Sequence, residues 1–231
     1  MNKKATHVEI ILSFVIFVMF LIFVIFISTP VIKTEKNKDL ALEILESNLI
    51  EKISKNMKVV TVFNNSATES CLVIDITSLG FDVSELDFTV KSEAGNNIKS
   101  NYSSGFLKIE TTENLSKIYY ANETFNDYTY NPGVNPCAPS EVSLIRTYDF
   151  VFETEMINLI SEYNSNYINL RDELDVLPRH DFSFNFMYNN GILIGPNEKR
   201  VKKSVYVKEI PIQYIDKNAN INFGVINLKI W

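Results

Sequence analysis

What the chain has little of narrows its chemistry first. It carries two histidines (His7 and His180), two cysteines (Cys71 and Cys137), one tryptophan and seven glycines among 231 residues. No second histidine or cysteine stands at metal-ligand spacing, so neither zinc nor any other cofactor is expected. The scattered glycines form no phosphate-cradling loop, and neither a nucleophile elbow nor an aspartic-protease motif occurs. Basic residues make no run that would track a phosphate backbone. A net charge of −6 likewise points away from nucleic acid.

One absence is local and informative. Residues 10–32 contain no charged side chain, and Leu, Ile, Val, Met and Phe fill nearly every position. At about 1.5 Å per residue this segment reaches about 34 Å, enough to cross a hydrocarbon core of about 30 Å. A cleavable secretory signal has a shorter apolar run, about 7–15 residues, ending in a small-x-small site. Ile27-Ser28-Thr29 is a poor site of that kind, and no cysteine follows to take a lipid. The segment is therefore expected to stay on the protein as a single transmembrane helix in contact with the bilayer. Lys3 and Lys4 precede it, and Lys33, Lys36 and Lys38 follow it. Those charges nearly balance, but a short tail is easily kept inside and a long domain translocates regardless of charge, so the domain is expected outside the cell membrane. Phe14, Phe17, Phe20, Phe23 and Phe26 recur every third residue, which winds around a helix by roughly 240° and marks no single face.

Beyond Pro30 the pattern changes. Leu42, Leu45, Leu49 and Ile53 recur at helical spacing, with Glu43, Glu51, Lys52 and Lys55 elsewhere around the wheel. The expected organisation is a basic leader at 1–9, the span at 10–32, an amphipathic continuation at 33–57 and an extracytoplasmic domain at 58–231. Within that domain, β-branched or aromatic runs at 59–63, 71–76, 106–109 and 118–120 read as strands, and the proline-bearing stretch 122–139 reads as a loop. Phe152, Met156, Leu159, Ile160, Tyr163, Tyr167, Leu170, Leu174 and Leu177 form one stripe, a helix over about 150–177 that Pro178 ends. Phe182, Phe184, Phe186 and Tyr188 alternate with polar residues up to Asn190-Gly191, a hairpin signal before 192–194. A last hairpin runs over 204–215 and 221–231. The fold class is α+β: a long N-terminal helix and an antiparallel, β-rich ectodomain with a second helix.

The polar groupings carry little chemistry. Arg171-Asp172-Glu173, Asp175 and Arg179-His180-Asp181 read as a solvated helix end. Asp216-x-Asn218-x-Asn220 opens like a calcium loop, but Ile221 stands where that loop needs glycine and Asn227 where it needs glutamate. The reading is a plain turn. Cys71 and Cys137, an even count in a translocated domain, are expected to form a disulfide across 66 residues of chain. N-x-S/T sequons at Asn64, Asn101, Asn114 and Asn122 permit glycosylation, in about the number that chance gives for this composition.

The N-terminus, Met1-Asn2-Lys3-Lys4-Ala5-Thr6-His7-Val8-Glu9-Ile10, resembles an archaeal class III signal peptide, as found on type IV pilin-like, membrane-anchored surface proteins. Those begin with a short basic leader, a small cleavage junction and a hydrophobic helix with glutamate at the fifth mature position. The resemblance implies a processing junction at Lys4, Ala5 and Thr6. A leader peptidase cutting before Ala5 makes Glu9 fifth, and a cut after Ala5 makes it fourth. It further implies self-assembly or co-assembly through the helix, with Glu9 meeting a neighbour's amine. The expectation is a non-enzymatic, pilin-like or pseudopilin-like protein; the alternative is a membrane-tethered binding or envelope module that does not polymerise.

Overall fold

In the computed structural model the backbone is described for residues 3–64, 71–80, 87–111, 113–126, 128, 137–178, 180–197, 201 and 204–231; along the first helix, side chains are described at 9, at 11–26 and from 38 onward. That helix, α1 (Lys3–Ile53), runs unbroken through Pro30. Its second half is amphipathic as the spacing predicts: Ala41, Leu42, Leu45, Leu49 and Ile53 are all buried. It stops at Ile53, however, and not near residue 57. The strand β1 (Ser54–Phe63) follows at once. Ser54 and Asn56 are weak helix formers, and Met57, Val60 and Val62 are buried in a sheet with neighbours on both edges. Two-sided strand pairing outweighs one more turn of helix.

The remaining elements are β2 (Cys71–Asp75), a short 3-10 turn (Thr77–Leu79), β3 (Asp87–Ser92), β4 (Asn97–Ile98), β5 (Ser100–Ser103), β6 (Phe106–Glu110), β7 (Leu115–Ala121), β8 (Ala138–Pro139), β9 (Glu141–Phe152), α2 (Glu153–Glu173), β10 (Phe182–Tyr188), β11 (Leu193–Ile194), β12 (Tyr206–Ile215) and β13 (Ile221–Ile230). The class is α+β with mostly antiparallel sheet. One sheet has the order β11-β10-β13-β12-β9-β1-β7-β3-β4 and a second has β5-β6-β2-β8.

The large sheet is two sheets joined at a narrow seam. The β12–β9 pairing is parallel and only two residues deep, Tyr214 with Val151 and Ile215 with Phe152. On one side of the seam, α1 and α2 cover β10, β12 and β13, enclosing Leu45, Leu49, Met156, Leu159, Tyr163, Phe182, Phe184, Leu228 and their neighbours. On the other side, β1, β7 and β3 face the small sheet across Val60, Val62, Ile74, Val90, Leu107, Ile109 and Ile118. A third cluster (Met57, Ala121, Phe125, Phe152, Ile215 and Ala219) packs at the seam itself.

The second helix is shorter at both ends than its apolar stripe suggests. Residues 150–152 belong to β9, with Phe152 as the helix N-cap, and the helix gives way at Leu174 before Asp175 turns to φ 52°. Leu174 stays buried beyond the helix end, whereas Leu177, the last residue of the stripe, is exposed. At Asn166 the helix is kinked (φ −142°, ψ 47°).

Cys71 and Cys137 are bridged, tying the start of β2 to the residue before β8. Nearby, Gly105 turns the β5–β6 hairpin at φ 88°, and a Cβ there would lie 2.8 Å from Cγ2 of Thr77. Gly105→Ala therefore combines left-handed strain with a contact, and is expected to cost about 1–3 kcal/mol. A chemical denaturation midpoint equal to wild type would contradict this.

Candidate assembly and membrane surface

From residue 11 to residue 26, the side chains of α1 are largely exposed. Fourteen large apolar side chains there are exposed, from Val24 at 41% to Phe26 at 80%. They lie on every side of the helix, Val18 alone among the apolar ones being half-buried. Folded monomers rarely expose apolar patches beyond a few hundred Å². At about 1.5–3 kcal/mol per buried side chain, covering this set is worth on the order of 20–40 kcal/mol. That exceeds the roughly 5–15 kcal/mol net stability of an ordinary domain, which makes this exposed set the largest uncovered apolar surface to be accounted for among the described residues. Among the described residues no helix is long and apolar enough to cross a membrane. The span expected at 10–32 reaches beyond them, since the side chains at 10 and 27–32 are outside the description.

Glu9 lies one residue before this apolar run, on α1, and is exposed. The side chains of Lys4, Ala5 and Thr6, the expected processing junction, lie outside the described residues, although their backbone is helical. Of the sequon asparagines, Asn114 and Asn122 are exposed, Asn101 is half-buried and Asn64 is buried.

The polar groups around α2 fix it to its surroundings. Lys52 on α1 meets Glu173 at 2.7 Å and Glu162 at 3.2 Å, both on α2. Lys55 on β1 meets Glu155 at 2.5 Å and lies 3.9 Å from Glu123. The Thr154 hydroxyl donates to Glu123. The Tyr167 hydroxyl donates to Asp181 at 2.8 Å and accepts the N–H of Phe182 at 3.2 Å. Burial pushes that phenol upward; the Phe182 N–H opposes the shift and Asp181 adds to it. Asp181 is thus held by a tyrosine and, through its backbone, by Trp231. His180, beside it, is half-buried. Arg171 pairs with its neighbour Asp172 at 3.1 Å, as at a solvated helix end.

The turn between β12 and β13 is better built than its sequence suggests. Asp216 Oδ1 accepts the N–H groups of Asn218 (2.8 Å) and Asn220 (2.9 Å); its Oδ2 accepts the side-chain amides of Asn220 (2.9 Å) and Asn222 (3.1 Å). The tip is docked on the sandwich side of the seam. Asn126 and Tyr128 donate to Asn218 Oδ1 at 2.6 and 3.1 Å, and Asn126 N–H bonds the carbonyl of Lys217 at 2.8 Å. Lys91 from β3 is 3% exposed, and its Nζ donates to Asn220 Oδ1 at 2.5 Å. Burial pulls this ammonium below its ordinary value, with Asp216 opposing the shift. Among the described residues no group of three or more histidines, cysteines or carboxylates is placed to hold a metal. Sequence reasoning overlooked Lys91, which sits in an ordinary strand pattern, Asp87–Ser92, far along the chain from its partner.

Comparison of the chain with known protein families, with characterised proteins and with solved structures gave no match.

Proposed function

We propose that this chain is a non-enzymatic, single-pass, membrane-anchored surface protein of pilin-like or pseudopilin-like kind, whose domain lies outside the cell and whose N-terminal helix is the surface of insertion and assembly. One observation carries the reading: a single helix bares fourteen large apolar side chains in its first half and buries one stripe in the domain with its second. A helix apolar all round suits a lipid bilayer or a helical bundle. The one-sided half makes it a rigid extension of the folded domain, and not a flexible leash. Glu9 ahead of the apolar run supplies a charge for a neighbour's amine, exposed by a leader peptidase cutting at Lys4, Ala5 or Thr6.

The anchor and the side are tested together. The full chain is expected to require detergent for extraction, while a variant beginning at residue 38 is recovered without it and keeps a cooperative unfolding transition. Protease added to intact cells is expected to digest the domain. In translocation-competent microsomes Asn114 and Asn122, the exposed sequon residues, are the ones expected to gain glycan. A domain that resists protease until the cells are lysed overturns the extracytoplasmic reading. Extraction of the full chain without detergent overturns the anchor.

A further inference from the structure

The cluster at the β12–β13 tip holds a buried nucleophile that the proposed assembly does not use. Lys91 Nζ is 2.5 Å from Asn220 Oδ1. A carbonyl bond is about 1.2 Å, so Nζ lies within about 3.7 Å of the Asn220 amide carbon, close to the roughly 3–3.5 Å of a near-attack arrangement. Asp216 Oδ2 accepts from Asn220 Nδ2, the nitrogen that would leave, at 2.9 Å. We propose that Lys91 and Asn220 join in an intramolecular isopeptide bond with loss of ammonia, Asp216 carrying the proton.

The step balances without oxidant or reductant. The neutral amine of Lys91 adds to Cγ of Asn220, forming the Nζ–Cγ bond, and the Cγ–Nδ2 bond breaks. The proton shed by Nζ passes to the Asp216 carboxylate and from there to Nδ2, which departs as ammonia; one amide replaces another. Burial of Lys91 lowers the affinity of its amine for a proton, with Asp216 opposing, so the neutral, nucleophilic form is easier to reach than in a solvated lysine. Asn220 is exposed, which gives ammonia a way out. Four hydrogen bonds from the asparagines and the backbone hold Asp216 in place, so the proton carrier is positioned before reaction. The bond would close 129 residues of chain and clamp β3 of the sandwich to the hairpin of the helix-covered half. In a surface protein whose two halves share only a two-residue strand pairing beside the cluster at the seam, such a clamp resists being pulled apart.

The test is a proteolytic peptide map and intact mass of the full-length protein, taken denatured and reduced. The expected wild-type mass is lower by one ammonia than that of the sequence counted from the N-terminus found in the same peptide map, and a branched peptide links Lys91 to Asn220. Lys91→Arg and Asp216→Asn are each expected to show the full sequence mass and the two linear peptides. A wild-type protein at full mass, or heavier through deamidation of Asn220, overturns the bond whatever the variants do. An Asp216→Asn protein that still carries the branched peptide overturns the role given to Asp216.

Discussion

Glu9→Ala is expected to leave membrane insertion intact and to abolish incorporation into any higher-order assembly. The substitution removes a charge directly ahead of an uncharged run, so partition into lipid improves slightly. An unassembled tether should lose no more than about 0.3–1 kcal/mol at the helix start, where a carboxylate favours the exposed N–H groups. In a bundle of such helices the balance differs. A carboxylate packed between apolar helices is costly unless a cation meets it, and in the proposed assembly a neighbour's new amine would be that cation. Without Glu9 the amine is left uncompensated in low dielectric, a loss of several kcal/mol and hence of two or more decades in association. Cross-linking and sedimentation of detergent-solubilised and native material, wild type beside Glu9→Ala, read this directly. Assembly at the wild-type level in the variant would falsify the pilin-like mechanism. A wild type with no higher-order species would leave the membrane-tethered module as the better account of the same exposed helix.

The reach of the sequence differs from element to element for physical reasons. The second half of α1 was legible because one face packs on the domain, so Leu42, Leu45, Leu49 and Ile53 record a burial direction. The hairpin at Asn190-Gly191 was legible because its turn demands a left-handed residue, and Gly191 sits at φ 81°. Strand β9 was not. Residues 143–149 are exposed on both faces, so no alternation of burial is imprinted on them; pairing with β1 alone makes them a strand. Their last residues, Phe150, Val151 and Phe152, looked like the start of the following helix because apolar residues there serve the seam and not a helix face. The Lys91 site was hidden for another reason. Its partner lies 129 residues away, and a lysine in a strand reads as solvent-facing until the fold supplies the carboxylate and amides that make its burial tolerable. Glu9 stood out only through resemblance and its place before the apolar run; the helix geometry places it exposed without naming its partner.

Removing the disulfide, as Cys71→Ala/Cys137→Ala, is expected to destabilise the domain by roughly 2–5 kcal/mol. The bridge spans a sequence separation of 66, for which chain-entropy accounting gives about 4 kcal/mol. Among the described residues the local contacts beside the bridge are few. Strand β8 is two residues long and pairs with β2 only through Leu72 with Ala138 and Val73 with Pro139. Beyond that pair, Ser140 N–H and Oγ both reach the carbonyl of Val73, at 3.1 and 3.3 Å. Those few hydrogen bonds are worth about 1 kcal/mol each and do not hold a long segment against its own entropy. The loss should fall on the sandwich half. The core of α1, α2, β10, β12 and β13 contains neither cysteine and meets the sandwich at a narrow seam. Hydrogen exchange is therefore expected to accelerate first in β2 and β6, with β10 and β13 protected longest. The melting temperature should fall by about 5–15 °C for a domain of this size. Equal melting in variant and wild type, or two thiols that alkylate in the unfolded, unreduced native protein, would show that the bridge does not stabilise the protein as it exists. Loss of protection spread evenly over both halves would mean that the seam transmits the damage, and that the two cores unfold as one.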